Sequence, residues 1–207
     1  LESIFHCVAM AARNGNNRHE LRHLGLLAIL KTILASKSPS VSEKTKLPCI
    51  DALKEMSKDP MSRQTLSEWQ RPKVTDVLLP HLSSKNPKLL SAAVQALCFI
   101  ASEVEVGSKV VIALLDVLNR PAGEDEDSRH ILNLTSSTIA RCANITANAD
   151  AIVENDGVGK LCTMMSGTKN NSEKVQSLSL SLSLSLSLSI YLSIYPSACP
   201  PTNNYSN

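Results

Sequence analysis

Ile139-Ala-Arg-Cys-Ala-Asn-Ile-Thr-Ala-Asn-Ala-Asp-Ala-Ile-Val-Glu-Asn-Asp-Gly157-Val-Gly-Lys-Leu-Cys-Thr-Met-Met165 is the stretch whose reading decides the fold. It reads as the end of one helix, a short second helix closed by Gly157, and the start of a third. The same grammar recurs upstream at a fixed interval. Arg18-His-Glu-Leu21 and Arg63-Gln-Thr-Leu66 occupy equivalent places 45 residues apart, and Gly157 lies three steps of 44 after Gly25. Val8, Leu53, Leu97 and Cys142 mark the apolar line of the long helix at steps of 45, 44 and 45. A period this regular is the signature of a solenoid, in which each unit buries its apolar face against its neighbours.

Composition agrees with an all-helical reading. Apolar residues make up 43% of the 207 residues and aromatics only 3%, so Leu, Ala, Val and Ile fill the interior, as suits interdigitating helices. A net charge of +2 gives no field that would single out nucleic acid or an anionic membrane as the main partner. The six cysteines (Cys7, Cys49, Cys98, Cys142, Cys162, Cys199) form no CxxC pair and fall mostly on apolar helix positions, which points to buried free thiols in a reducing compartment. The chain opens at Leu1 inside a helical stretch with no signal-peptide series and no 18-residue apolar run. It is expected to be an intracellular piece, cytoplasmic or nuclear, lacking its natural N-terminus. Four Asn-x-Ser/Thr tripeptides, at Asn133, Asn144, Asn170 and Asn204, carry no meaning without export.

Taken in order, the chain divides into units of about 1–14, 15–58, 61–102, 103–148 and 149–176, incomplete at both ends, followed by a tail over 177–207. The first unit is a single helix that stops at Asn14-Gly15. In the second, Asn17 to Leu24 is a short helix, Leu26 to Ala35 a second, and Ser42 to Ser57 a long third that Pro48 delays or kinks. The next unit repeats the plan with Met61–Trp69, Lys73–Ser83 and Asn86–Ser102, where Asn86-Pro87 is an N-cap and first-turn pair. Trp69-Gln70 stands where another unit has Leu24-Gly25, and Arg71-Pro72-Lys73 reads as the insertion that lets this turn close without glycine. The unit from 103 is the poorest copy, with a short helix cut down to Glu103–Ser108, a second from Lys109 to Leu118, and a long one from Ile131 to Thr146. Ala149–Asp156 and Val158–Met165 follow, and Asn171 to Gln176 begins another third helix.

From Ser177 the pattern changes to strict Ser-Leu alternation, and then to Ser189-Ile-Tyr-Leu-Ser-Ile-Tyr-Pro196 with a four-residue step. An alternating TC tract translates as Ser-Leu and a TCTA tract as Ser-Ile-Tyr-Leu, so the segment reads as translated simple-repeat DNA at a retained intron or a misplaced exon boundary. Taken as protein it is a low-complexity segment with an aggregation-prone alternation. The Pro-, Ser- and Asn-rich end from Pro196 to Asn207 has nothing to bury and is expected to be disordered.

The units resemble armadillo repeats: a short helix ending in Gly, a second helix of Leu-x-x-Leu-Leu type, and a long third helix with an Ala-Leu-centred core. The resemblance covers about residues 1–176. It rests on Asn17, Arg18, Leu21, Gly25, Leu30 and Leu34; on Ala52, Leu53 and Met56; on Leu66 and Leu82; on Ala92, Ala96, Leu97 and Ile100; and on Ala143, Asn144, Ile145, Asn148, Ile152, Val153 and Gly157. It implies a right-handed α-α superhelix whose third helices line a concave groove for extended peptides or partner proteins. In peptide-binding members those helices carry an asparagine ladder; the matching positions here are Met10, Glu55, Phe99 and Asn144. With one asparagine in four, a reader of basic nuclear-localisation peptides is not expected, and the groove should be more apolar.

His19-Glu-Leu-Arg-His23 is a literal HExxH, the spacing that sets two imidazoles one helical turn apart to hold zinc while the glutamate activates water. The repeat accounts for the same segment, with Leu21 buried and Gly25 as the stop. No third ligand follows, because Glu43 lies in a Ser/Lys-rich loop and the next histidine is His81. The surface of Arg13, Arg18, Arg22 and His23 is a basic contact patch at most. Glu124-Asp-Glu-Asp127 reads as a solvated charge run or a docking site for a basic partner, and Met164-Met165 as core or a pliable apolar surface. Cys142 has Arg141 as a basic neighbour but no histidine to make it a nucleophile.

The expectation is a non-enzymatic scaffold or adaptor that binds a protein partner along its concave face, with Glu55, Phe99 and Asn144 as contact residues. It carries no cofactor or metal, takes no small-molecule substrate, binds no nucleic acid and does not insert in a membrane. The alternatives are a regulator of a small GTPase or of a cytoskeletal or ciliary assembly, and a zinc hydrolase using His19, Glu20 and His23.

Overall fold

The computed structural model describes residues 2–36, 38, 41–101, 103–120 and 126–161. Among them are ten helices and no strand: α1 (Glu2–Ala12), α2 (Gly15–His23), α3 (Leu26–Ala35), α4 (Glu43–Met56), α5 (Pro60–Ser67), α6 (Val74–Leu82), α7 (Pro87–Ile100), α8 (Ser108–Leu118), α9 (Glu126–Cys142) and α10 (Thr146–Glu154). A further helical stretch covers 157–161. The tail from 177 to 207, the helix start at Asn171, and Cys162, Met164 and Met165 lie outside the described residues.

The long helices stack in series, α1 on α4, α4 on α7 and α7 on α9, while α3, α6 and α8 back α4, α7 and α9 respectively. The apolar line of the sequence becomes the seam of this stack. Leu53, Leu97 and Cys142 are fully buried, and Val8 packs against the same core. A solenoid has no central core, so each seam residue is desolvated by the helix before it and the helix after it. Full burial of a leucine of this kind contributes roughly 1.5–3 kcal/mol.

Local chemistry sets most helix starts. Asp59 caps α5 by accepting from the Ser62 N–H at 2.8 Å, with Pro60 in the first turn, and Asn86 caps α7 by accepting from the Lys88 N–H at 3.1 Å before Pro87. The Asp76 carboxylate accepts from the Lys73 N–H at 3.1 Å at the start of α6. Gly25 adopts φ +77° between α2 and α3, the left-handed conformation expected of a helix stop. In the glycine-free turn, Trp69 is half-buried with the Lys31 ammonium 5.3 Å from its ring centre. Pro48 lies inside α4, which runs continuously through it from Glu43 to Met56.

Helix ends are satisfied across the stack by long polar side chains. The Arg18 guanidinium donates to the Ala12 and Arg13 carbonyls at the end of α1, both at 3.0 Å. Arg63, 45 residues later, does the same at the end of α4, donating to Ser57 and Lys58 at 3.3 and 3.2 Å. Arg120 donates to Leu82 and Ser84 past α6 at 2.7 and 3.2 Å, and Arg141 to Cys98 in α7 at 3.2 Å. Terminal carbonyls have no intrahelical partner and carry the negative end of the helix dipole, so a guanidinium satisfies both needs.

Three local readings are corrected. No helix forms over Glu103–Ser108: the chain turns after α7 and extends through Val106 to Gly107. Six residues with two valines and a glycine cannot repay helix nucleation. The fully buried Asn148 takes the place of the missing turn, accepting from the Val106 N–H at 3.0 Å and donating to the Val104 carbonyl at 3.4 Å. The long helix spans Glu126–Cys142 rather than Ile131–Thr146. Glu126 and Asp127 suit the positive end of the helix, and bonds from the Asn144 and Ile145 N–H groups to the Arg141 and Cys142 carbonyls tighten the exit into a turn. Gly157 does not close α10. Asp156 takes the left-handed conformation at φ +54° and residue 157 opens the next helix. Glycine is required there by close approach, because a Cβ would lie 2.6 Å from Ile152 Cγ2 and 2.7 Å from the Ile152 carbonyl oxygen.

Two outcomes follow from this packing. Gly157→Ala is expected to destabilise the chain by about 1–3 kcal/mol through overpacking, read as a lower urea midpoint at unchanged m-value. His81 in α6 is buried, and burial, with the Lys46 ammonium adding to it, lowers its pKa from the usual 6.5 to about 4. The native imidazole stays neutral where the unfolded chain's histidine takes up a proton. Its contribution is therefore full above pH 6.5 and is lost as the pH falls toward about 4. The urea midpoint should fall over this window less steeply in His81→Gln than in the parent.

Candidate functional site

Because α3, α6 and α8 back one side of the long-helix stack, the other side is left for contact. A cleft of about 290 Å³ opens there across α4, α7 and α9, and no residue of α3, α6 or α8 lines it. Its floor includes Leu47, Ala92 and Ile131, and its rim carries Asp51, Lys54, Lys88, Ser91, Gln95, Asp127 and His130. The periodicity accounts for this lining: residues three, four and seven apart share one helix face, so Leu47, Asp51 and Lys54 project from α4 as Lys88, Ser91 and Gln95 project from α7.

The rim is pre-positioned by its own charges. The Lys54 ammonium lies 3.0 Å from Asp51 and 3.6 Å from Glu55. Gln95 Nε2 lies 3.4 Å from His130 Nε2, joining α7 to α9 across the cleft. Side chains already held in place lose less entropy when a ligand arrives.

Of the three expected contact residues, the structure brings two together. Glu55 is only 5% exposed and accepts from the Lys58 ammonium at 2.6 Å. The same ammonium stands 6.0 Å from the centre of the half-buried Phe99 ring. Lys58 therefore bridges Glu55 on α4 to Phe99 on α7. Asn144 sits exposed in the turn after α9, and no hydrogen bond joins it to Glu55 or Phe99. Sequence reasoning missed Asp51, Gln95 and Lys58. Asp51 and Gln95 stand one helical turn before Glu55 and Phe99, and Lys58 three residues after Glu55, which was the available signal.

His19, Glu20 and His23 lie exposed on α2, with the two imidazole centres 4.4 Å apart. The Arg22 guanidinium approaches His19 Nδ1 at 3.1 Å and sets a positive charge beside that imidazole. Among the described residues no group of three or more His, Cys, Asp or Glu side chains is placed to hold a metal ion. The four described cysteines are free thiols. Burial pushes the Cys49 thiol up to about 12, and burial, with Cys98 adding to it, does the same for Cys142, so both stay protonated at neutral pH. Of the acidic run, Glu126 and Asp127 occupy the first turn of α9, and Glu124 and Asp125 lie outside the described residues. No described helix is long and apolar enough to cross a membrane.

No family model and no curated protein matches this chain. Solved structures do. A computationally designed armadillo repeat protein for modular peptide recognition is similar over 88% of this chain and 74% of its own, with a TM-score of 0.65 at 19% identity. A designed armadillo repeat protein in complex with the peptide (KR)4 is similar over 86% of this chain and 72% of its own, with a TM-score of 0.66 at 18% identity. An engineered protein matches 91% of this chain and 90% of its own, with a TM-score of 0.59 at 15% identity. With long helices stacked at the 44–45-residue period and backed by a second helical layer, this chain has an armadillo-type repeat fold.

Proposed function

We propose that the chain is a protein-binding scaffold that takes an extended segment of a partner along the open side of the α4, α7 and α9 stack. The observation that carries this reading is the cleft, which draws its walls from three successive repeats. An extended peptide rises about 3.3 Å per residue and so meets neighbouring helices with successive side chains. The apolar floor supplies desolvation and the polar rim supplies orientation, the usual division of labour in a binding groove. The designed proteins described for peptide recognition or in complex with (KR)4 lend support by fold alone. Glu55, Phe99 and Asn144 remain proposed contact residues, joined by Asp51, Gln95 and His130. Since Lys54 and Lys58 already engage Glu55, Phe99 offers the apolar contact and Glu55 acts by holding Lys58 over it.

Affinity capture from cell extract with the parent chain, Phe99→Asp and Gln95→Arg tests the proposal. Circular dichroism must show unchanged helicity in each variant. The expected result is one set of partners retained by the parent and lost from both variants, a drop of about tenfold or more, as for a central interface residue. Partner recovery at the parental level in both variants would place binding elsewhere on the molecule.

A further inference from the structure

α9 carries four consecutive hydroxyl residues, Thr135-Ser-Ser-Thr138, and each returns a hydrogen bond to the carbonyl one turn earlier. Thr135 donates to Ile131 at 2.7 Å, Ser136 to Leu132 at 2.9 Å, Ser137 to Asn133 at 3.0 Å and Thr138 to Leu134 at 2.8 Å. Thr135, Ser136 and Thr138 are buried. Packing alone does not require hydroxyls there. Forty-five residues earlier, at the same place in α7, stand Leu90, Ser91, Ala92 and Ala93, and the one hydroxyl among them, Ser91 Oγ, accepts from Gln95 at 3.5 Å instead. In α9 the Ile131, Leu132, Asn133 and Leu134 carbonyls each hold a side-chain hydroxyl besides the amide N–H of the following turn. An amide bond that lengthens there leaves no carbonyl unsatisfied, which is how a back-bonded hydroxyl run lets a helix bend.

Burial divides the helix at the same point. Over residues 126–134 the buried residue is Ile131, whereas Thr135, Ser136, Thr138, Ile139 and Cys142 are buried in the second half. That second half is tied to α7 by the Arg141 guanidinium on the Cys98 carbonyl at 3.2 Å and by the Thr138 hydroxyl on the Val94 carbonyl at 3.5 Å. The first half supplies Asp127, His130 and Ile131 to the cleft, and it reaches across to α7 through the exposed His130–Gln95 contact at 3.4 Å.

We infer that α9 hinges at residues 135–138, so that residues 126–134 move as one rigid lip of the cleft against a fixed α7. The anchored second half is the base and the hydroxyl run is the compliant turn. The His130–Gln95 contact is a weak catch, since a long hydrogen bond open to water adds little net free energy. With the catch released, the lip swings out and an extended segment enters; with it re-formed, the segment is held over Ile131. The hinge deepens the proposed groove and rests on that reading for its use. Elements that move for binding are drawn from the less protected parts of a fold, and the first half of α9, with its sparse burial, is such a part.

Hydrogen exchange of the free 207-residue chain, followed amide by amide, tests the hinge. After correction for intrinsic rates, the amides of 135–138 should be protected about tenfold less than those of 139–142, and less than those of 131–134 before them. Thr135→Val, Ser136→Ala, Ser137→Ala and Thr138→Val combined, which remove the hydroxyls at nearly constant volume, should raise 135–138 to the protection of 139–142. Gln95→Ala, which removes the catch from a half-buried position, should lower protection at 135–138 by about twofold or more at parental helicity. Equal protection at 135–138 and 139–142 in the parent overturns the inference. So does protection that falls steadily from 142 to 131, the pattern of a helix fraying from its start, or a combined variant that folds and leaves 135–138 unchanged. Should the combined variant not fold, an unchanged rate in Gln95→Ala overturns it equally. Because exchange is read on the free chain, a failed hinge and a failed partner capture are told apart.

Discussion

Burial of one long helix between its predecessor and its successor is the constraint on which the rest of this structure depends. α4 and α7 each meet a long helix on two opposite sides and a shorter helix on a third. That leaves one side of each free, and the free sides line up because the period returns every unit to the same orientation. The small residues at the seam, Ala52, Ala93 and Ala96 among them, let the helices approach closely, and the near absence of aromatics in the composition reflects the same need.

Stacking creates a second requirement, since every helix end brought into the interior leaves carbonyls without partners. The chain answers it with side chains from elsewhere in the stack. Arg18 and Arg63 repeat one solution at the same place in two units, and Arg120 and Arg141 add another across units. Asn148 shows what happens when a unit lacks its short helix: its amide bonds to the extended segment that replaces it. These bonds satisfy the backbone groups of Val104 and Val106 that the missing helix leaves open.

The open side of the stack is what these two requirements leave over. The open side of the stack has an apolar floor and a rim of paired charges. Its Lys54–Asp51 pair positions the rim more than it stabilises the fold, as expected for a partly exposed ion pair. The HExxH segment falls on the exposed side of a short helix instead, where Arg22 lies against His19.

The period, the helical class, the apolar seam and most helix starts were determined by the sequence alone, because they follow from a regular spacing and from residues near one another in the chain. Leu53, Leu97 and Cys142 announce the seam by spacing, and Asn86 and Gly25 announce helix boundaries by local chemistry. The groove was legible as a face, and Glu55 and Phe99 could be placed on neighbouring helices by register. Tertiary structure alone decided how those residues are used. Glu55 is buried because Lys54 and Lys58 fold over it, Asn144 leaves its helix because the exit of α9 tightens into a turn, and Gly157 is required because Ile152 and Leu115 crowd its position rather than by its own backbone angle. Each of these outcomes turns on how close two segments come once packed, and spacing along the chain carries no record of that distance.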